Sequence, residues 1–283
     1  MDSAILKRLE AIEDLPTIPH TMQQVLSEID SISASAQTMQ HIIEQDPVIT
    51  AKILKMANSP FYGTVVDISN VGRAMVTMGF DEVKNVVIGL SLAGVFCEEL
   101  DFDEFDTSDL WLHAIGVATG ARMIAEEVSG LDPDDMFTAG MLHDLGRLLY
   151  CIYFKEELTA TLADRKENDT TLIEAEERHG INHAEIGAAL TRRWDLSELL
   201  ENVIRFHHNP QEAGDYVKQA SVIFFADAVA KNLKIGWSGL DDNSKIIIPK
   251  ALGLDSDKAK AIAMKLKEER EKIINGWGSI IAA

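Results

Sequence analysis

Apolar residues in this chain recur at the spacing of a helix. Ile5, Leu6, Leu9 and Ile12 fall on one stripe, and Ile42, Ile43, Ile49, Ile53, Leu54 and Ala57 carry the same period onward. Start and stop signals punctuate the pattern. Asp46-Pro47 and Asp132-Pro133 each set a capping acid before a proline at a first helical position. Thr171 to Glu174 and Asn182 to Glu185 read as capping boxes. Asn58-Ser59-Pro60 and His208-Asn209-Pro210 read as stops, because the residue before a proline is pushed out of the helical region. The only strand-like run, Lys245 to Pro249, is short. The pattern predicts an all-α chain.

Two breaks divide it. The acidic run Glu98 to Asp106 interrupts helical patterning, and Gly236 to Asn243 is rich in Gly, Asp and Ser. They suggest an N-terminal helical part over 1–100, a central part over 101–235 and a C-terminal appendage over 236–283. The appendage carries an amphipathic helix from about Asp255 to Asn275, ahead of Gly276-Trp277-Gly278. Its stripe of Ala259, Ile262, Ala263, Leu266 and Ile273 reads either as an interface or as packing on its own domain.

Composition excludes several classes. At 46% hydrophobic and 25% charged the chain is neither disordered nor collagen-like. A formal net charge of −20 repels nucleic acid and anionic membranes unless a local basic patch overrides it. Cys97 and Cys151 are the only cysteines, so neither a disulfide framework nor a thiolate metal cluster is available. The N-terminus lacks a signal peptide's basic start and long apolar stretch. The apolar run Val86 to Cys97 falls short of the about 20 residues a bilayer needs and reads as a buried helix. A cytoplasmic protein is the expectation.

The chemistry concentrates in the central part, which holds six of the eight histidines. His143-Asp144 closes an apolar helix, where a buried Asp is costly as a charge unless paired or metal-bound; the plainer reading is a helix-end Asp facing solvent. His113 shares a small face with Gly116, Val117 and Gly120, which invites close approach of another backbone; it could equally be a core histidine bonded to a carbonyl. His183 shares a face with Ile186, Gly187 and Leu190, and His207 with Leu200, Val203 and Ile204. Asp227 lies among Ala220, Ile223 and Phe224, with Lys231 one turn on as its obvious ion-pair partner. Each group has an ordinary explanation alone. Together, with His208 beside His207, they are resolved by a shared divalent cation, since imidazole nitrogen and carboxylate oxygen are its ligands. Without cysteine ligands the candidates are Fe, Mn, Zn, Co or Ni.

The order His113, His143-Asp144, Asp227 resembles the H…HD…D signature of the HD superfamily of metal-dependent phosphohydrolases, and His183 with His207-His208 resembles its dinuclear members. Leu15-Pro16-Thr17-Ile18-Pro19, Gln45-Asp46-Pro47 through Asn58-Ser59-Pro60-Phe61-Tyr62-Gly63, Ala74 to Gly79, Asp109 to His113 and Ala139 to Gly146 are similar to the HDOD family (HD-related output domain). The resemblance spans about residues 14–230. It implies an all-α fold, an N-terminal helical bundle plus an HD-type helical domain and a C-terminal helical appendage. It also implies a bacterial signalling output module, often with metal ligands lost, whereas here the whole set is present. By resemblance Asp144 bridges two metals, His113, His143 and Asp227 complete one site, and His183, His207 and His208 the other. Arg147 stands where HD-GYP phosphodiesterases often carry Lys and reads as a phosphate contact or an acid-paired side chain. Asn209-Pro210 after the double histidine departs from the HD-GYP pattern, which argues against cyclic di-GMP hydrolysis.

Two classes follow. One is a regulatory, protein-interacting module with a divalent metal site, its partner a signalling protein or a second copy. The other is a phosphohydrolase acting on a phosphate-containing small molecule, a nucleotide or cyclic dinucleotide. A nucleic-acid-binding or membrane role is disfavoured by charge.

Overall fold

The computed structural model describes residues 3–12, 15, 19–29, 35–59, 62, 67–96, 107–236 and 246–281. Among them there is no strand. In chain order the first helices are α1 (Ser3–Ala11), α2 (His20–Ile29), α3 (Ala36–Glu44), α4 (Pro47–Ala57), α5 (Val71–Met78) and α6 (Phe80–Phe96). Then come α7 (Thr107–Glu127), α8 (Pro133–Leu142), α9 (Leu145–Tyr153), α10 (Lys155–Asn168) and α11 (Leu172–Arg178). The last are α12 (His183–Arg193), α13 (Glu198–Phe206), α14 (Val217–Asn232) and α15 (Ser256–Ile281).

Two compact units result, one of Met1–Leu15 with Glu99–Glu268, the other of Pro16–Glu98 with Glu269–Ala283. In the second unit, α2 to α6 pack as a small bundle with Met22, Val25, Ile43, Ile53, Val83 and Ile88 almost wholly buried. Asn58 ends α4 and ties in the segment ahead of α5: its side chain accepts from the Ile68 N–H at 2.7 Å and donates to the Ile68 carbonyl at 2.8 Å. The apolar run from Val86 lies in α6, and no helix among the described residues is long and apolar enough to cross a membrane.

The first unit is built round α7, which packs against α8 and α14, while α12 packs against α9 and α13. Local signals start helices in both units. Asp46 and Asp132 each accept two backbone N–H bonds ahead of a first-position proline. Thr171 and Glu174 form a reciprocal capping box. Asn182 caps α12 through the Ala184 and Glu185 N–H groups, while the Glu185 carboxylate pairs with Arg205 at 3.3 Å.

Two expectations are revised and one is extended. The small face of α7 admits side chains and a backbone alike: a Cβ on Gly116 would stand 2.6 Å from Ile235 and one on Gly120 3.1 Å from Leu266, while α8 comes in at Gly140, where a Cβ would stand 2.6 Å from the Ala118 Cα. A second close backbone approach comes at Gly236, whose φ of +58, with an added Cβ 2.2 Å from the Asp109 carbonyl oxygen and the His113 amide nitrogen, leaves room for no side chain. The described end of the strand-like run, 246–249, is irregular and leads into a 3₁₀ turn at Lys250–Leu252. Finally, α15 runs through Gly276-Trp277-Gly278 to Ile281, because burying Trp277 outweighs the about 1 kcal/mol each glycine costs a helix. On the α15 stripe Ala259, Ile262, Leu266 and Ile273 are buried within the chain itself. The acidic run Glu98 to Asp106 and most of Gly236 to Asn243 lie outside the described residues.

Candidate metal centre

Five breaks and helices of the first unit converge. His113 projects from α7, and Asp227 from α14. His143 and Asp144 form the two-residue joint between α8 and α9; His183 opens α12, and His207 and His208 follow the end of α13. All of these except the partly exposed His208 are buried.

Asp144 sits at the middle. Its Oδ2 lies 3.3 Å from His143 Nε2 and 4.0 Å from His113 Nε2. Its Oδ1 lies 3.3 Å from His183 Nε2 and 3.7 Å from His207 Nε2. Asp227 Oδ1 is 2.9 Å from His113 Nε2 and 3.9 Å from His143 Nε2. His183 Nε2 and His208 Nε2 stand 3.0 Å apart. The donors fall into two sets, Asp144 with His183, His207 and His208, and His113 with His143 and Asp227, each with its ligand atoms within 4.8 Å of one another.

Glycine makes this convergence possible. A Cβ on Gly146, two residues past Asp144, would stand 1.8 Å from the His183 carbonyl oxygen. Gly187, one turn into α12, faces Gly146 in return. The α9–α12 crossing is therefore close enough to bring Asp144 and His183 together.

The far nitrogens of the rings are fixed. A carbonyl can only accept, so His143 Nδ1–H donates to the Gly140 carbonyl and His207 Nδ1–H to the Ile204 carbonyl, both at 2.7 Å. His183 Nδ1 lies 2.8 and 2.7 Å from the two oxygens of Glu176. Each arrangement turns Nε2 inward. Arg147 Nε lies 3.1 Å from Asp144 Oδ1, and Lys231 Nζ 2.7 Å from Asp227 Oδ2.

Charges in so dry a place shift the protonation of His143, His183, His207, His208, Asp144 and Asp227. Burial works against the imidazolium of His183, but the Glu176 carboxylate overrides it and pushes the pKa up to about 9. His143 is raised likewise: burial opposes, and Asp144 and Asp227 prevail. Burial holds His207 down to about 3, and His208 well below the ordinary histidine value. Burial alone would raise both carboxyls, yet Arg147 keeps Asp144 ionised and Lys231 keeps Asp227 ionised.

The donor set fits a divalent cation. His143 Nε2, His207 Nε2 and both Asp144 oxygens are buried with no hydrogen-bond partner. Buried polar atoms without partners are rare and costly, and four of them face one another here. A cation of the imidazole- and carboxylate-binding class satisfies all four.

Every residue singled out in the sequence is found here, and so are two of the ordinary readings: Asp227 does pair with Lys231, and Arg147 is a buried, acid-paired side chain. The reading missed Glu176. Its signal was present, because Glu176 continues the buried Leu172 and Ala175 stripe of α11 at helical spacing, an apolar face on which a charge is unexpected.

An all-helical domain that gathers His and Asp groups able to hold metal is the class that fold and site define. The chain belongs to the HDOD family: the HDOD domain model matches residues 15–210. It is similar to an uncharacterized protein of Treponema pallidum (strain Nichols), 26% identical over 233 residues, which covers 79% of this chain and 44% of that protein. The chain thus spans under half the length of that curated relative. Among solved structures it resembles an HDOD domain protein of unknown function from Geobacter sulfurreducens, 25% identical with a TM-score of 0.81, covering 98% of this chain and 99% of the other. It shares its fold with a candidate phosphohydrolase from Shewanella amazonensis SB2B, 23% identical with a TM-score of 0.76, covering 99% and 98% of the two chains.

Proposed function

We propose that the chain is a two-metal phosphohydrolase of the HD type, housed in a signalling output module, with 101–235 as its metal-binding subdomain. One observation carries the reading: the two oxygens of Asp144 face different ligand sets, 3.3 Å from His143 on one side and 3.3 Å from His183 on the other. A purely structural ion needs one closed shell of four ligands. The second set, His113, His143 and Asp227 around the other Asp144 oxygen, is more than one structural ion needs.

When bound, a pair of divalent ions supplies Lewis acidity and a water nucleophile at neutral pH. The chain's own residues do the rest. Asp144 holds the two halves in register, and the pinned imidazoles keep Nε2 facing inward. Arg147 steadies Asp144 and shares its cation with a phosphate. Charge selects the substrate class. The three buried carboxylates Asp144, Asp227 and Glu176 outnumber the cations Arg147 and Lys231 by one, so two divalent ions turn the centre cationic and draw in an anion. The substrate is accordingly an anionic phosphoester, and the resemblance to HD-type phosphohydrolases suggests a nucleotide or cyclic dinucleotide. The ions are drawn from Fe, Mn, Zn, Co and Ni.

A second reading, a metal-stabilised regulatory module that binds a signalling protein or a second copy without turnover, is favoured by the burial of six of the seven ligands. One experiment separates them. Metal content is measured on protein purified without added metal, and the loaded protein is then offered bis-p-nitrophenyl phosphate and a nucleotide panel. Turnover lost in Asp144→Ala supports the hydrolase. Two bound ions with no turnover across the panel overturn it and leave the regulatory module.

A further inference from the structure

The inward-facing histidines are pinned by two different devices, and helix polarity explains why. His143 and His207 follow helix C-terminal ends, where the last carbonyls lack intrahelical partners and accept the Nδ1–H three residues on. His183 is the first residue of α12, and a helix N-terminus offers only N–H groups. Its Nδ1–H must find an acceptor elsewhere. Glu176 supplies it from α11 with both oxygens within 2.8 Å, and accepts the His183 backbone N–H at 3.3 Å as well. Glu176 is 1% exposed and belongs to neither ligand set. A buried carboxylate held against one ligand ring, and away from the ligand atoms, acts through that ring.

We infer that Glu176 is a positioning residue that fixes His183 with Nε2 inward and, by lending it charge, makes the Asp144–His183–His207–His208 set the tighter of the two ion positions. The inference rests on the two-ion reading above. A carboxylate behind a ligating imidazole locks its tautomer and raises its basicity, which a neutral backbone carbonyl does more weakly. Among the described residues the other set shows no such carboxylate behind a ring: His143 leans on a carbonyl, and His113 Nε2 faces Asp227 directly.

The test is a calorimetric titration of the metal-stripped full chain with Zn²⁺. The wild type is expected to show two steps. Glu176→Gln is expected to weaken the tighter step by roughly tenfold to a hundredfold and to leave the weaker one within about threefold. Equal weakening of both steps, or of neither, overturns the inference, since a merely structural role has no reason to choose between them. Should Glu176→Gln not fold, the wild type decides through ¹⁵N-imidazole NMR of the Zn²⁺-loaded chain. A protonated, exchange-protected His183 Nδ1 supports the inference, and ligation through Nδ1 overturns it. Two zinc ions bound without phosphoester turnover sink the hydrolase and leave Glu176 its role. A wild type that takes up no zinc ends both.

Discussion

His183 carries a prediction in its protonation. In the metal-free chain its raised pKa means that the imidazolium–Glu176 pair stabilises the fold in full below pH 6.5 and loses that contribution as pH climbs through about 9. An incoming ion must displace that proton. Metal affinity is therefore expected to rise by about tenfold or more per pH unit below about pH 9, with at least one proton released, since His143 is raised as well. Calorimetry in buffers of different ionisation enthalpy measures the proton directly. Lys231 carries another. It holds Asp227 ionised in a buried place, so Lys231→Met is expected to cost the metal-free protein about 2–4 kcal/mol by urea denaturation, and less once metal is bound. At this scale the sequence was informative wherever a polar residue broke an apolar stripe, as His113, Asp144 and Asp227 do. Glu176 breaks one too, but its helix is only seven residues long, and nothing in the chain places it opposite a histidine seven positions later.

At the scale of elements, caps and prolines could be read directly because they act within four residues. Asp132 accepting from Asp134 and Asp135 is such a case, and Asp132→Ala is expected to cost about 1 kcal/mol in thermal or chemical unfolding. Helix crossings could not be read, because they depend on which glycine meets which backbone. Gly146 was visible as a glycine after His-Asp, whereas its 1.8 Å clearance to the His183 carbonyl was not. Gly146→Ala is expected to force α9 and α12 apart at a cost of about 3 kcal/mol. It should also lower the bound-metal count by elemental analysis, since Asp144 and His183 ride on the two helices that separate. The end of α15 was misjudged for a related reason: local glycine penalties were weighed without the tertiary burial of Trp277.

For the whole molecule, all seven candidate ligands belong to one unit, that of Glu99–Glu268 with the N-terminal residues. An ion that binds only the folded form stabilises it by about 2.7 kcal/mol at a hundred times its dissociation constant. Scanning calorimetry with and without chelator should therefore move the transition of that unit by several degrees and leave any separate transition of the Pro16–Glu98 unit in place. A uniform shift would mean that the chain unfolds as one. Composition excluded a disordered or collagen-like chain, in keeping with the helical fold, but it said nothing of how the N-terminal residues and α15 are divided between units.

The bonds from His143 to Gly140 and from His207 to Ile204 have a consequence for anyone who edits this site. Each ring ties off a dangling carbonyl of the helix it follows, so stopping the helix and aiming the ligand are a single event. Alanine at either position unravels a terminus as well as deleting a donor, and a dead protein so obtained mixes two injuries. A cleaner knockout spares the knot and silences Asp144, whose side chain caps no helix end.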